Sequence, residues 1–218
     1  MDPLTKTRIV RVAPDASGIE ASRELAKALL EGAVAAYPTE TFYALGAAAF
    51  SKPGVDRIFR LKERDASKPL SFIVSDMDMI ADLVLGLPPG FPALAAEFWP
   101  GPLTLVLPAA PRLPAQVLGP GGTIALRIPP LAWLRAFVRE LGEPLSATSA
   151  NLAGERELAD PAEVKALFEG RVEIIVDGGP APGGQASTIV DLSGATPRVL
   201  REGRIPAERI EAVLRGAV

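Results

Sequence analysis

The chain of 218 residues has 48% hydrophobic and 22% charged side chains, which excludes disorder and allows one large domain burying about 70% of its unfolded surface. Cysteine and histidine are both absent, and this excludes disulfide scaffolds, thiolate nucleophiles, zinc clusters built on those residues and histidine general bases. With 23 basic against 26 acidic residues there is no global nucleic-acid footprint; no apolar run approaches a membrane span, and MDPLTKTRIV lacks a secretory h-region, so no membrane association and a cytoplasmic location are expected.

In chain order, Asp15 or Ser17 is placed to cap a helix with apolar positions Ala21, Leu25, Ala28 and Leu29, closed by Gly32. GAVAAYPT reads as a buried strand stopped by Pro38. In the next helix, around 54 to 62, Val55, Ile58, Phe59 and Lys62 fall at i, i+3, i+4 and i+7, so its apolar stripe ends in a lysine. LSFIVSD is a second buried strand, and Ser75 or Asp76 caps a helix near 76 to 85. A proline-rich connection and a short helix from Phe91 to Phe98 lead to the strand LTLVLP. TIALRIP is another strand, after which Pro130 opens the helix LAWLRAFVREL.

PLSATSAN then reads as strand and turn. A helix from Pro161 to about Phe168, the strands VEIIVD, STIVDL and PRVLRE, and a last helix from Pro206 to about Leu214 follow. Early alternation of strands and helices with a strand-rich end predicts an α/β fold, a twisted mixed sheet with helices packed on it. No repeat or long linker divides the chain, so a single domain over 1–218 is expected. DGGPAPGGQAST, from Asp177 to Thr188, is the loosest stretch and is expected to serve as a mobile flap.

Four clusters carry possible chemistry. Lys62 either snorkels to solvent at the negative end of its helix dipole or points inward, where a buried ammonium needs an anion; Arg64 and Lys68 follow closely and favour a phosphate or carboxylate site. Thr39 and Thr41 flank Glu40 just after a strand, where α/β sheets present ligand-contacting groups; the alternative is a turn cap with Glu40 in water. SATSAN, Ser146 to Asn151, offers three hydroxyls and an amide to phosphate oxygens, or forms a plain turn. Arg127 lies mid-strand, at a sheet edge or as a carboxylate clamp, and Thr123, four residues earlier, shares its strand face.

In this order the segments resemble the Sua5/YrdC/YciO family of threonylcarbamoyl-AMP synthases: YPTETFYALG, Lys62 and Arg64 in LKERDASKPL, Thr123 and Arg127 as T-x-x-x-R, SATSAN, STIVDL and VLREG. The resemblance implies a YrdC-like fold around a large concave basic cavity. It also implies a nucleotidyltransferase that makes threonylcarbamoyl-AMP and pyrophosphate from L-threonine, bicarbonate and ATP, for the threonylcarbamoyladenosine modification of tRNA. By the same resemblance Thr39, Arg127 and Ser187 hold threonine; Lys62, Arg64, Thr123, Ser149, Asn151 and Arg201 hold ATP, with Lys62 and Arg64 the catalytic cations. Mg²⁺ enters with ATP, and no protein metal site is implied. Partners implied are tRNA or double-stranded RNA and a threonylcarbamoyl transferase complex.

Three departures from the family pattern stand out. Ala44 replaces a glycine, Ser71, Phe72 and Ile73 stand where some relatives place a histidine, and the single-domain form is expected. The rival reading is a YciO-like paralogue that binds RNA or ribosomes with little synthase activity.

Overall fold

Strands rich in alanine, valine, isoleucine and leucine build one sheet in the computed structural model, which describes residues 5–13, 15–19, 22–63 and 69–216. Ala21, Arg64 and Lys68 lie outside the described residues. In chain order the strands are β1 Arg8–Arg11, β2 Ala35–Pro38, β3 Tyr43–Gly46, β4 Ser71–Ile73, β5 Leu103–Pro108, β6 Thr123–Arg127, β7 Leu145–Ser149, β8 Ile174–Asp177, β9 Thr188–Asp191 and β10 Arg198–Arg201. Across the sheet they run β1-β8-β2-β3-β7-β4-β6-β5-β9-β10. Pairing is parallel where β8 meets β1 and β2, where β4 meets β6 and where β5 meets β9, and antiparallel elsewhere. The sheet is mixed, as expected.

Two strands escaped the sequence reading for separate reasons. In β1 only Val10 is buried, so its alternation is too weak to stand out. β3 follows β2 after the four residues Thr39 to Phe42, and its own four residues are buried throughout, so they show no alternation that would set a strand apart from the preceding turn.

The helices are α1 Ser22–Leu30, α2 Lys52–Leu61, α3 Met77–Ala81, α4 Phe91–Phe98, α5 Ala132–Leu141, α6 Pro161–Phe168 and α7 Ala207–Gly216. On one face Leu25 and Leu29 of α1 and Trp133 and Phe137 of α5 cover Val10, Ala35, Tyr37, Ile174 and Val176. On the other, Ile58, Phe91, Leu94, Phe168 and Ile210 cover Ala36, Leu45, Phe72 and Leu105. Each such aliphatic or aromatic side chain contributes about 1.5–3 kcal/mol when fully buried.

Several boundaries differ from expectation. Asp15 and Ser17 lie outside α1, and α3 ends at Ala81, well short of 85, although Asp76 caps it by accepting from Met79 N at 3.1 Å. Leu131, and not Pro130, is the N-cap of α5. Both α4 and α6 have the predicted bounds, α6 because Asp160 accepts from Ala162 N at 2.8 Å with Pro161 at the first helical position.

The sheet register explains where space is left. Cross-strand partners point to the same face, and Ala44 pairs with Ser149 while Ser71 pairs with Ala147 and with Ala125. These small side chains lie on the face that carries α1 and α5, beyond their cover, and leave a hollow over the middle of the sheet.

Candidate functional site

The hollow is a cavity of about 170 Å³ lined by Ala44, Ser71, Ala147 and Ser149 at its floor and by Thr39, Thr41, Thr104, Arg127, Ser187 and Arg201 around it. Its first wall is the turn after β2, where Pro38 pairs with Tyr43. Thr39 Oγ1 donates to Phe42 O at 2.7 Å and accepts from Thr41 N at 3.2 Å, a hydroxyl-stabilised turn. Thr39 therefore caps its turn and faces the cavity as well. Glu40 does not face water: it is 8% exposed. Gly46 lets the hairpin close on β7, since a Cβ there would meet Ser146 O at 2.3 Å.

Arg127, at the end of β6, is 6% exposed and belongs to the cavity wall, not to a sheet edge. Its Nη1 lies 2.9 Å from Glu40 Oε1, yet neither Glu40 carboxylate oxygen accepts a hydrogen bond. The distance is that of an ion pair and the direction is not that of a hydrogen bond; because Coulomb attraction depends on separation, the contact is ionic. Among the described residues the Arg127 side chain makes no hydrogen bond, so its N–H fork is uncommitted.

Lys62 follows α2 and is also 6% exposed, so it points inward. Its Nζ donates to Asn151 Oδ1 at 2.6 Å, to Asn151 O at 3.0 Å and to Ser149 O. Ser149 Oγ donates to Asn151 Oδ1 at 2.7 Å, and Asn151 Nδ2 donates to Glu155 O at 2.6 Å. Among the described residues the acceptors of this ammonium are carbonyl oxygens, two from the backbone and one from an amide side chain. Arg57 of α2 pairs with Glu173 and donates to Thr5 Oγ1 and Arg171 O, fastening α2 beside β8.

The far wall comes from the C-terminal quarter. Arg201 donates from Nε and Nη2 to Ser187 O at 3.1 and 2.8 Å, and from Nη2 to Ser187 Oγ at 3.1 Å. Burial lowers the Arg201 pKa from its ordinary value; Glu157 opposes the shift and Arg127 adds to it. Gly203 permits this close approach, because a Cβ there would meet Ala186 O at 2.2 Å. Arg204 donates to Glu40 O, joining the C-terminal segment to the first wall. The segment 177–188 is fastened, unlike a loose flap: Gly183 N donates to Thr41 O at 2.7 Å, Ala181 N to Ala159 O at 2.8 Å, and Tyr43 Oη to Gly179 O at 2.9 Å. The Tyr43 hydroxyl is pushed up to about 12 by burial and stays neutral.

Of the residues singled out from the sequence, Thr39, Arg127, Ser149, Ser187 and Arg201 line the one cavity. Lys62 and Asn151 stand directly behind Ser149, and Arg64 lies outside the described residues. Thr123 is buried, with its hydroxyl donating to Pro120 O at 3.0 Å. It shares a strand face with Arg127 but sits about 13 Å along the strand from it, so a single small carboxylate cannot touch both. Thr104, Glu157 and Arg204 were missed. Thr104 carried a signal, a lone hydroxyl in an apolar strand; Glu157 and Arg204 carried none, since only the tertiary fold brings Glu157 to the cavity and Arg204 to the Glu40 carbonyl.

Residues 27–203 match the family model Sua5–YciO–YrdC, whose description is telomere recombination. The chain is 38% identical to a threonylcarbamoyl-AMP synthase of Pyrococcus abyssi over 84% of its own length and 54% of that protein. It is 38% identical to that of Bacillus subtilis over 96% of its own length and 61% of that protein. The crystal structure of P. abyssi Sua5 complexed with L-threonine superposes with a TM-score of 0.87 at 36% identity, covering 97% of this chain and 62% of that one. The chain therefore spans between half and two thirds of the length of these relatives.

Proposed function

The chain belongs to the Sua5–YciO–YrdC family, and from that premise we propose that it is an L-threonylcarbamoyladenylate synthase, a nucleotidyltransferase acting on L-threonine, bicarbonate and ATP. One observation carries the reading: a buried guanidinium, Arg127, presents uncommitted donors to a cavity ringed by hydroxyls. Such a fork suits a carboxylate gripped by two parallel hydrogen bonds. We assign the threonine carboxylate to Arg127 and the rest of the amino acid to Thr39 and Ser187. A cavity of about 170 Å³ is smaller than the roughly 300–1,000 Å³ usual for ligand sites, so the nucleotide extends beyond it, past Ser149 and Asn151.

We assign Lys62, Arg64, Thr123, Ser149, Asn151 and Arg201 to ATP. On this assignment Mg²⁺ enters with ATP, as part of the nucleotide substrate. In this reading threonine's amine and bicarbonate form a carbamate, which attacks the α-phosphate in line while the bond to pyrophosphate breaks. The chain contributes positioning and charge, the main sources of rate in such a displacement. The absence of histidine and cysteine is then no handicap. The product would go, in the cytoplasm, to a threonylcarbamoyl transferase complex that modifies tRNA. An RNA-binding role without synthesis has less support, since the curated relatives described above carry synthase names.

The test is pyrophosphate release by the purified protein. The expected result is release only when threonine, bicarbonate and ATP are all present. Equal release without threonine would assign a different adenylation, and no release would favour the RNA-binding reading.

A further inference from the structure

We infer that Glu40 is a specificity-determining residue, whose buried carboxylate offsets the charge of Arg127 without engaging its donors, so that the amino-acid end of the cavity admits one carboxylate and rejects phosphate. The inference deepens the synthase reading and rests on it for the identity of the amino acid.

Arg127 is 6% exposed and Glu40 8%. An isolated charge buried to that extent is costly, so an arginine at this position needs a counter-anion. Glu40 is the only carboxylate within 4.0 Å of it among the described residues. Had Glu40 served to orient Arg127 by hydrogen bonding, an N–H would be aimed at a carboxylate oxygen. None is, and both oxygens are inaccessible and unpartnered, so what remains of the interaction is charge. The carboxylate cannot swing away easily, because Arg204 holds its backbone carbonyl and the turn bonds of Thr39 flank it.

The electrostatic consequence follows directly. With the pair neutral, a ligand carboxylate brings the buried group to one negative charge, whereas a phosphate dianion would bring two into a place of low polarisability, where the cost of an ion rises with the square of its charge. The other two charges on the cavity wall, Glu157 and Arg201, are of opposite sign and offset one another, so they leave this count unchanged. A site that must take an amino acid beside a triphosphate, and release pyrophosphate, needs such discrimination.

The experiment titrates L-threonine, and separately inorganic phosphate, into the wild-type protein, Glu40→Gln and Glu40→Asp, with thermal melts to establish that each variant is folded. In Glu40→Gln we expect phosphate affinity, and its competition against threonine, to rise at least tenfold. Glu40→Asp keeps a carboxylate but withdraws it by one methylene, and is expected to shift the same way by a smaller factor; it decides the matter if Glu40→Gln does not fold. Unchanged phosphate affinity in the folded variants overturns the inference. If the wild-type protein fails to bind threonine the synthase reading falls, while direct phosphate titration still judges the role of Glu40.

Discussion

Two buried cations, Lys62 behind Ser149 and Arg127 on the cavity wall, have described partners of opposite kinds. Lys62 is surrounded by carbonyl oxygens of Ser149 and Asn151 that accept from its ammonium. Arg127 has one carboxylate for its charge and no acceptor for its N–H groups among the described residues. Burial is the same, 6% exposure in each. Dipoles that satisfy donors make a cation into part of the scaffold, whereas a counter-charge that leaves the donors open makes it a receptor. Lys62 thus fixes the turn that presents Ser149, and Arg127 is the group to which the proposed function assigns the threonine carboxylate.

The largest expected effect comes from Arg127→Ala. Each charge-assisted hydrogen bond to a ligand is worth about 1.5–3 kcal/mol, so loss of two should weaken L-threonine binding at least a hundredfold. Leaving Glu40 buried without its partner should also cost about 3–5 kcal/mol of stability. Calorimetric titration and urea unfolding measure the two. A variant that binds threonine normally would break the comparison at its receptor end.

Lys62→Met probes the scaffold end. It removes the donor from three oxygens, each costing about 1–3 kcal/mol if left unsatisfied, and should weaken ATP binding roughly tenfold through charge and the displaced Ser149 turn. Threonine affinity should change less than threefold. A larger loss for threonine than for ATP would exchange the roles of the two cations.

How much of this was readable from residues depended on range. Lys62 pointing inward followed from its position on the α2 stripe, and α4 and α6 followed from proline, a capping aspartate and helical spacing, all local signals. That Arg127 is a cavity residue was one of two open readings, because a strand register tells which face a side chain takes and not what covers that face. Its pairing with Glu40 spans 87 residues of sequence, and Arg204 reaches back from further still; neither leaves a trace in periodicity. The satisfaction of Lys62 by carbonyls was invisible for the same reason, since backbone acceptors have no sequence signature. Segment 177–188 looked loose from its glycines and prolines, yet its backbone bonds to Thr41 and Ala159 come from folding alone.

Gly203→Ala sharpens the comparison from the far wall. A Cβ would meet Ala186 O at 2.2 Å and Ser187 C at 2.7 Å, and neither backbone atom can yield without moving the segment that presents Ser187. Overpacking of this kind costs about 1–3 kcal/mol. The shift should raise the KM for threonine several-fold and weaken ATP by a smaller factor, since Arg201, bonded to Ser187, is the one ATP group assigned to this wall. Equal losses for both ligands would show that Ser187 serves the nucleotide end as well.

The smallest effect is expected where an ion pair is exposed. Arg139 lies 2.9 Å from Asp76 Oδ2, as close as Arg127 to Glu40, but the side chains are 61% and 36% exposed. Water screens such a pair, so Arg139→Ala should change stability by only about 0–1 kcal/mol, and less in high salt. Burial tends to raise the Asp76 pKa, but hydrogen bonds from Met79 N and Arg139 outweigh it and hold the carboxyl below its ordinary value. Its folded pKa being depressed, the stabilisation is present above the unfolded carboxylate value of about 3.9 and is lost as pH falls through the lower folded value. Urea unfolding at neutral pH and near pH 2 should therefore show the gap between wild type and Arg139→Ala closing in acid. A gap as large as that of Arg127→Ala would mean that distance between charges, and not their removal from water, separates a receptor cation from an ordinary surface pair.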